Sequence, residues 1–333
     1  MLVAGSGGRA ALGRMAERRV EIDGFVTNYG EGPDNGPPLV LVHGQGSQWE
    51  DHAKVLPELV QRYHVYAVDV AGHGQSGRLG AQDYTNANVG ALLAAFLDVV
   101  VREPAVVSGH SSGALLALWL AANRPELVRG LLLEDPPLFS SIPPRAERTT
   151  GGMLPRLAVE HLRAKPAESF QRYYVEHSEY FAFFGPLARG IVRYSLRWID
   201  NNPGRPLRIF FLPWLVNVYF EGLVNYDPVF GTAFDSGHWY DGFDTAAALA
   251  AVEAPTTLIH TNWWFKRNGT YYDERDVLMA AMDGADKDRA MELLRDPELV
   301  EIACGHLVHV ERAKEYLAAL AALSERVGVP GRS

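Results

Sequence analysis

The chain has 333 residues, 47% apolar and 21% charged, the make-up of a globular protein with a substantial core. Its net charge of −9 argues against nucleic acid or an anionic membrane as main partner, and its one cysteine, Cys304, excludes an internal disulfide. No run reaches the about 18 apolar residues of a spanning helix and the Gly-rich start lacks a signal-peptide core, so a cytoplasmic protein with no membrane partner is expected, a homodimer staying open.

Residues 1–15 are small and Gly-rich and are expected to form a flexible extension, with Met15 just ahead of the first strand-like run. Val20–Ile22 and Phe25–Tyr29, joined by Asp23-Gly24, read as a hairpin. A Gly/Pro-rich turn leads to the buried-type strand Leu39–Val42, which ends at His43-Gly44-Gln45-Gly46, and a helix is expected over 47–61. The strand 65–70 runs into Asp69-x-x-Gly72-x-Gly74-x-Ser76, and a helix follows over 85–101. Ala105–Val107 is a short strand ahead of Gly109-His110-Ser111-Ser112-Gly113 and the helical run Ala114–Leu120. The strand Gly130–Glu134 ends at Asp135-Pro136-Pro137.

There the β/α rhythm stops. Residues 138–252 are helical in pattern, rich in aromatics and broken by prolines. The rhythm resumes with a strand over 255–261, a helix over 273–294, a strand over 299–303 and a helix over 311–326. Strands alternating with helices predict an α/β protein whose mostly parallel central sheet carries helices on both faces. Residues 16–137 and 253–333 form this core, and 138–252 form a helical cap over the carboxyl edge, where open sheets of this kind bind ligands.

Gly109-x-Ser111-x-Gly113 stands in the context that gives the pattern meaning: a short strand, a sharp turn, then a helix. Larger residues at either glycine would collide with the backbone of so tight a turn. Ser111 is then held at the apex in a strained conformation, its hydroxyl clear of the strand end. The plainer alternative is a Gly/Ser turn in an ordinary βα unit, and the motifs elsewhere in the chain weigh against it.

Four motifs together resemble the α/β-hydrolase family over about 19–325: His43-Gly44, Asp69-x-x-Gly72-x-Gly74-x-Ser76, Gly109-x-Ser111-x-Gly113, and Gly305-His306 with Glu311. The resemblance implies a cofactor-free and metal-free serine hydrolase. Ser111 is its nucleophile, His306 the base, and the N–H groups of Gln45 and Ser112 the oxyanion hole. The acid departs from the common pattern. After the strand equivalent to 256–259, where most relatives carry an Asp, this chain reads His260-Thr261-Asn262-Trp263-Trp264. Asp135, at the tip of the sixth strand, is the favoured acid. Glu134 has the opposite pleat direction, and Asp273 and Asp276 are the remaining candidates. The Asp-Pro-Pro placement also resembles lactonases of large resorcylic macrolides.

The other residues have blander readings. His43, His110 and the Asp69 loop are structural, Cys304 is buried, and His309 is a surface or cap contact rather than a metal ligand beside His306. Most cap aromatics pack the cap itself, while Trp214, Phe220, Trp239 and Trp264 are expected to line an apolar substrate pocket. The expected activity is cleavage of an ester or lactone of a small, apolar but bulky molecule. The rivals are C–C bond hydrolysis of ring-cleavage diketones, disfavoured by the missing acid after the seventh strand, and a small-molecule receptor on the same fold.

Overall fold

The computed structural model describes Leu12 and residues 14–164 and 167–329. Most of the extension expected over 1–15 lies outside them. The eight strands are β1 (Ala16–Ile22), β2 (Phe25–Glu31), β3 (Pro38–Val42), β4 (His64–Val68), β5 (Ala105–His110), β6 (Val128–Glu134), β7 (Thr256–Thr261) and β8 (Pro297–Ile302). They form one sheet in the order β1-β2-β4-β3-β5-β6-β7-β8. Only β2 runs against its neighbours; the pairs from β4 through β3, β5, β6 and β7 to β8 are parallel. This is the α/β-hydrolase fold.

Both faces of the central strands are covered, which is why they read as continuous apolar runs rather than as alternating ones. In β3, Val40 and Val42 belong to one core and Leu39 and Leu41 to the other, and all four are fully buried. The first core takes in α2 (Asn86–Phe96) and α3 (Ser112–Asn123); the second takes in α1 (Leu56–Arg62) and the C-terminal helix Ala313–Arg326.

Between β6 and β7 lie α4 (Met153–Ala164), α5 (Phe170–His177), α6 (Ala188–Asn201), α7 (Trp214–Glu221), α8 (Pro228–Ser236) and α9 (Thr245–Ala251). Within this stretch α9 packs back on α3, against the sheet layer. After β7 come α10 (Trp263–Asn268) and α11 (Gly284–Leu293), and after β8 the short α12 (Val308–Glu311) and α13 (Ala313–Arg326).

Two helices are shorter than the sequence pattern suggests. The helix expected over 47–61 divides into a 3-10 turn, Trp49–Lys54, and α1. Pro57 has no N–H to continue the first helix and instead starts a second. The helix expected over 273–294 forms only from Gly284. Upstream, the Asp273 carboxylate takes the N–H groups of Arg275 and Val277, each at 2.9 Å, an alternative that competes with helix. Asp283 then caps α11 through the Asp286 N–H at 2.9 Å.

Candidate active site

Ser111 sits between β5 and α3 with φ 54° and ψ −124°, a conformation that L-residues adopt only under constraint. The constraint is packing. A Cβ on Gly109 would stand 2.5 Å from the Gly113 carbonyl oxygen, and one on Gly113 would drive into the carbonyls of Val42 and His43. The Ser111 N–H donates to the Glu134 carbonyl at 3.0 Å, which fixes the apex against the end of β6.

The loop 43–46 passes directly beside this apex, since a Cβ on Gly44 would lie 2.9 Å from that of Ser111. Two histidines hold the loop. His43 accepts the Val70 N–H at Nε2 (3.0 Å) and donates from Nδ1 to the Gly44 carbonyl (2.8 Å). His73 accepts the Gly46 N–H at Nε2 (3.0 Å) and donates from Nδ1 to Ala71 (3.1 Å). Burial pushes His73 well below the usual histidine range, and neighbouring His43 adds to it, so the ring stays neutral and able to accept. The Gln45 side chain donates to the Tyr226 hydroxyl at 2.6 Å and is occupied there. Neither the Gln45 nor the Ser112 main-chain N–H has a hydrogen-bond partner among the described residues. The Ser112 N–H belongs to the first turn of α3, where orphan donors and the helix dipole favour negative charge.

Asp135 is completely buried at the tip of β6. Its carboxylate accepts the Thr261 N–H (3.3 Å), the Thr261 hydroxyl (3.1 Å) and His306 Nδ1 (2.6 Å). An ionised carboxylate only accepts, so Nδ1 carries the proton and Nε2 is left with its lone pair. The His306 side chain remains one-third exposed. Burial alone would depress its pKa. The hydrogen bond that His306 donates to Asp135 and the charges of Asp135, Glu134 and Glu311 outweigh that and leave it raised. The His306 loop is pinned from both sides: His110 Nε2 donates to the His306 carbonyl at 3.1 Å, and the Gly305 N–H donates to Glu311 at 2.8 Å.

The other candidate acids lie elsewhere. Asp273 bonds its own turn and Arg275, and Asp276 pairs with Arg148 on the surface. Glu134 points to the opposite side of the pleat and reaches His309. It accepts the His309 N–H at 2.9 Å, and its two oxygens face His309 Nδ1 at 2.8 and 3.0 Å. His309 is thereby buried, not a surface or cap contact, and its ring stacks on His52 with centroids 4.8 Å apart. The sequence hid this because only the register of β6 against the last loop brings the pair together. Cys304 is buried, and burial raises its thiol far above the reactive range. The Asp69 carboxylate accepts the N–H groups of Trp49 and Gln75, each at 2.9 Å, and the Asn28 amide at 2.8 Å, the bonding of a structural loop.

Thr261 is a site residue that the sequence reading does not single out; its signal is a hydroxyl at the very end of β7, next to Asn262. Of the four aromatics expected at the pocket, Trp214 packs with Val218 and Tyr219 against Leu307 and Val310, which follow His306 in the chain. Trp264 lies with Trp263 at the start of α10. Phe220 stacks on Phe181 (5.2 Å) and Trp239 on Phe234 (4.5 Å); both are fully buried, their rings engaged in packing. Among the described residues no three His, Cys, Asp or Glu side chains gather to hold a metal ion, and no helix is long and apolar enough to cross a membrane.

A serine at a strained strand-to-helix elbow, at the carboxyl edge of such a sheet, is the mark of one class of protein. Over residues 37–313 the chain matches the α/β hydrolase fold, and it belongs to that family. It is 43% identical over 120 residues to lipase LipV of Mycobacterium tuberculosis, covering 34% of this chain and 42% of that protein. It is 38% identical over 109 residues to a pimeloyl-[acyl-carrier protein] methyl ester esterase of Chromobacterium violaceum, covering 33% of this chain and 39% of that one. The chain thus spans about two-fifths of the length of these curated relatives. A putative lipase from Acinetobacter baumannii shares the fold with a TM-score of 0.65 at 18% identity, over 96% of this chain and 94% of that one.

Proposed function

We propose that the protein is a serine hydrolase cleaving a carboxylic ester or lactone of a bulky apolar substrate through a Ser111–His306–Asp135 triad. The observation that carries this reading is the 2.6 Å contact from His306 Nδ1 to the fully buried Asp135, on a loop pinned beside the Ser111 elbow. His306 Nε2 takes the Ser111 proton as Oγ attacks the carbonyl carbon. The negative oxygen that develops is met by the unpaired N–H groups of Gln45 and Ser112, each such donor being worth about 10²–10³ in rate. Protonated His306 gives its proton to the leaving alcohol. Water, activated by the same ring, then releases the acyl group from Ser111 and regenerates the hydroxyl.

Residues 138–252 act as the cap. Trp214, packed beside the His306 loop, and Trp264, at the start of α10, wall the substrate site, while Phe220 and Trp239 hold the cap together. The names of the relatives, a lipase and a methyl ester esterase, support ester chemistry. Asp135 ahead of Pro136-Pro137 puts macrocyclic lactones in the substrate panel.

The test is labelling by a fluorophosphonate together with turnover of p-nitrophenyl esters of graded chain length and of small and macrocyclic lactones. Wild type should be labelled once, at Ser111, and should prefer the longer or bulkier acyl groups. Ser111→Ala should lose both labelling and turnover while melting as wild type does. Full turnover in Ser111→Ala overturns the mechanism.

A further inference from the structure

The net charge of −9 conceals a local reversal. Residues 183–215 carry Arg189, Arg193, Arg197, Arg205 and Arg208 against a single acid, Asp200, and α10 adds Lys266 and Arg267. Asp200 is taken by Arg172, and Arg208 by Glu221. Arg189, Arg193, Arg197, Lys266 and Arg267 are exposed with no carboxylate partner among the described residues. In α6 the buried Ile191, Ser195 and Ile199 and the exposed Arg189, Arg193 and Arg197 each recur every fourth residue, two positions apart. The arginines therefore form a stripe on the face opposite the core; Asp200, three residues after Arg197, is held by Arg172.

Among the described residues, the same two segments carry nearly all the large apolar side chains left in water. Phe210 is 81% exposed, Leu187 70% and Phe183 62%; Phe211, Leu215, Trp263 and Phe265 are exposed as well. They are clustered with the cations. Phe210 and Phe211 pack on Tyr194, the residue next to Arg193 in α6, at 5.8 and 5.3 Å. Arg267 lies over the rings of Trp263 and Trp264, at 4.9 and 5.3 Å, and Phe183 approaches Trp264 at 6.4 Å. Both segments adjoin, along the chain, elements that reach His306 and Asp135. Phe211 is three residues ahead of α7, which packs on the His306 loop, and α10 begins two residues after Thr261, which holds Asp135.

We propose that this aromatic–arginine face docks on the surface of an anionic lipid bilayer. Phenylalanine and leucine side chains fit the acyl boundary, having no polar atoms to satisfy, while the arginine stripe meets anionic headgroups. A second copy of the chain fits less well, because a two-fold contact through this face would set arginines against arginines. Docking here turns the carboxyl edge of the sheet, with Ser111, toward the lipid. The inference goes beyond the hydrolase reading and does not depend on it.

The experiment is flotation with phosphatidylcholine vesicles, with and without phosphatidylglycerol, at low and high salt. Wild type and Ser111→Ala should float equally with anionic vesicles, weakly with neutral ones, and less as salt rises. Arg193→Gln with Arg197→Gln should weaken binding about 30-fold, and Phe210→Ser with Phe211→Ser about tenfold or more, with melting temperatures near wild type. Wild type that stays off anionic vesicles overturns the proposal, as does binding unaffected by either pair of changes. A wild-type dimer that Phe210→Ser dissociates, without vesicle binding, would assign the face to a second copy instead. Flotation without any ester turnover would leave the docking face standing and remove the hydrolase reading.

Discussion

Replacing Asp135 by asparagine keeps the shape of the site and reverses its proton logic. The carboxylate now accepts from three directions: the Thr261 N–H, the Thr261 hydroxyl and His306 Nδ1. An asparagine has one acceptor and one donor end. The Thr261 N–H is a fixed donor, so the amide oxygen must stay with it and the amide NH₂ is turned toward His306. The ring can answer only by presenting its Nδ1 lone pair and moving its proton to Nε2, where it can no longer accept the proton of Ser111. In serine proteases the equivalent exchange costs about 10⁴ in turnover, which is about 5.5 kcal/mol of barrier. A loss on that order is expected for Asp135→Asn in kcat on a p-nitrophenyl ester, with a parallel fall in the rate of fluorophosphonate labelling. The circular dichroism spectrum should be unchanged. Turnover near that of wild type would refute the assignment, and a comparable collapse in Glu134→Gln instead would move the acid one residue back along β6.

The His306 pKa is raised from 6.5, so kcat/KM should fall along an acid limb centred above that value as the base is protonated. Stability should move the other way: the His306 contribution is complete below about pH 6.5 and is lost as pH rises through the folded pKa, which a melting series across pH 6 to 9 checks. His309→Leu leaves the Glu134 carboxylate buried without its imidazole and should cost about 3 kcal/mol in urea unfolding; a cost below about 1 kcal/mol would mean that the main-chain N–H suffices. Gly113→Ala forces a methyl group into two backbone carbonyls and should leave little folded enzyme, whereas Ala114→Gly, one residue on in the same helix, should fold, as thermal melts of the two would show.

What the sequence made legible is what short-range chemistry dictates. The central strands announce themselves because both faces are covered, and the Ser111 elbow because no other residue fits at 109 and 113. The countable pleat of β6 sets Asp135 and Glu134 on opposite sides, and the structure brings Asp135 to His306 and Glu134 to His309. What depended on register was hidden. Glu134 and His309 are 175 positions apart, and nothing local in either marks the other as its partner. The run before α11 is helical in its apolar spacing but irregular in the fold, because Asp273 offers the backbone a competing set of bonds. The ring partners of Phe220 and Trp239, Phe181 and Phe234, were likewise not legible, because periodicity alone does not say which ring meets which.

The order of the strands has a bearing on how the proposed site comes together. Ser111, Asp135 and both free N–H donors lie ahead of the long helical excursion, on strands that already neighbour one another. β7 and β8 join at one margin of that sheet, and His306 rides in on the loop behind β8. During synthesis the chain therefore carries the proposed nucleophile without its proposed base until the stretch around His306 has docked. Cutting it in the turn before β7 would yield two pieces, each inert, whose reunion could be read out as esterase activity.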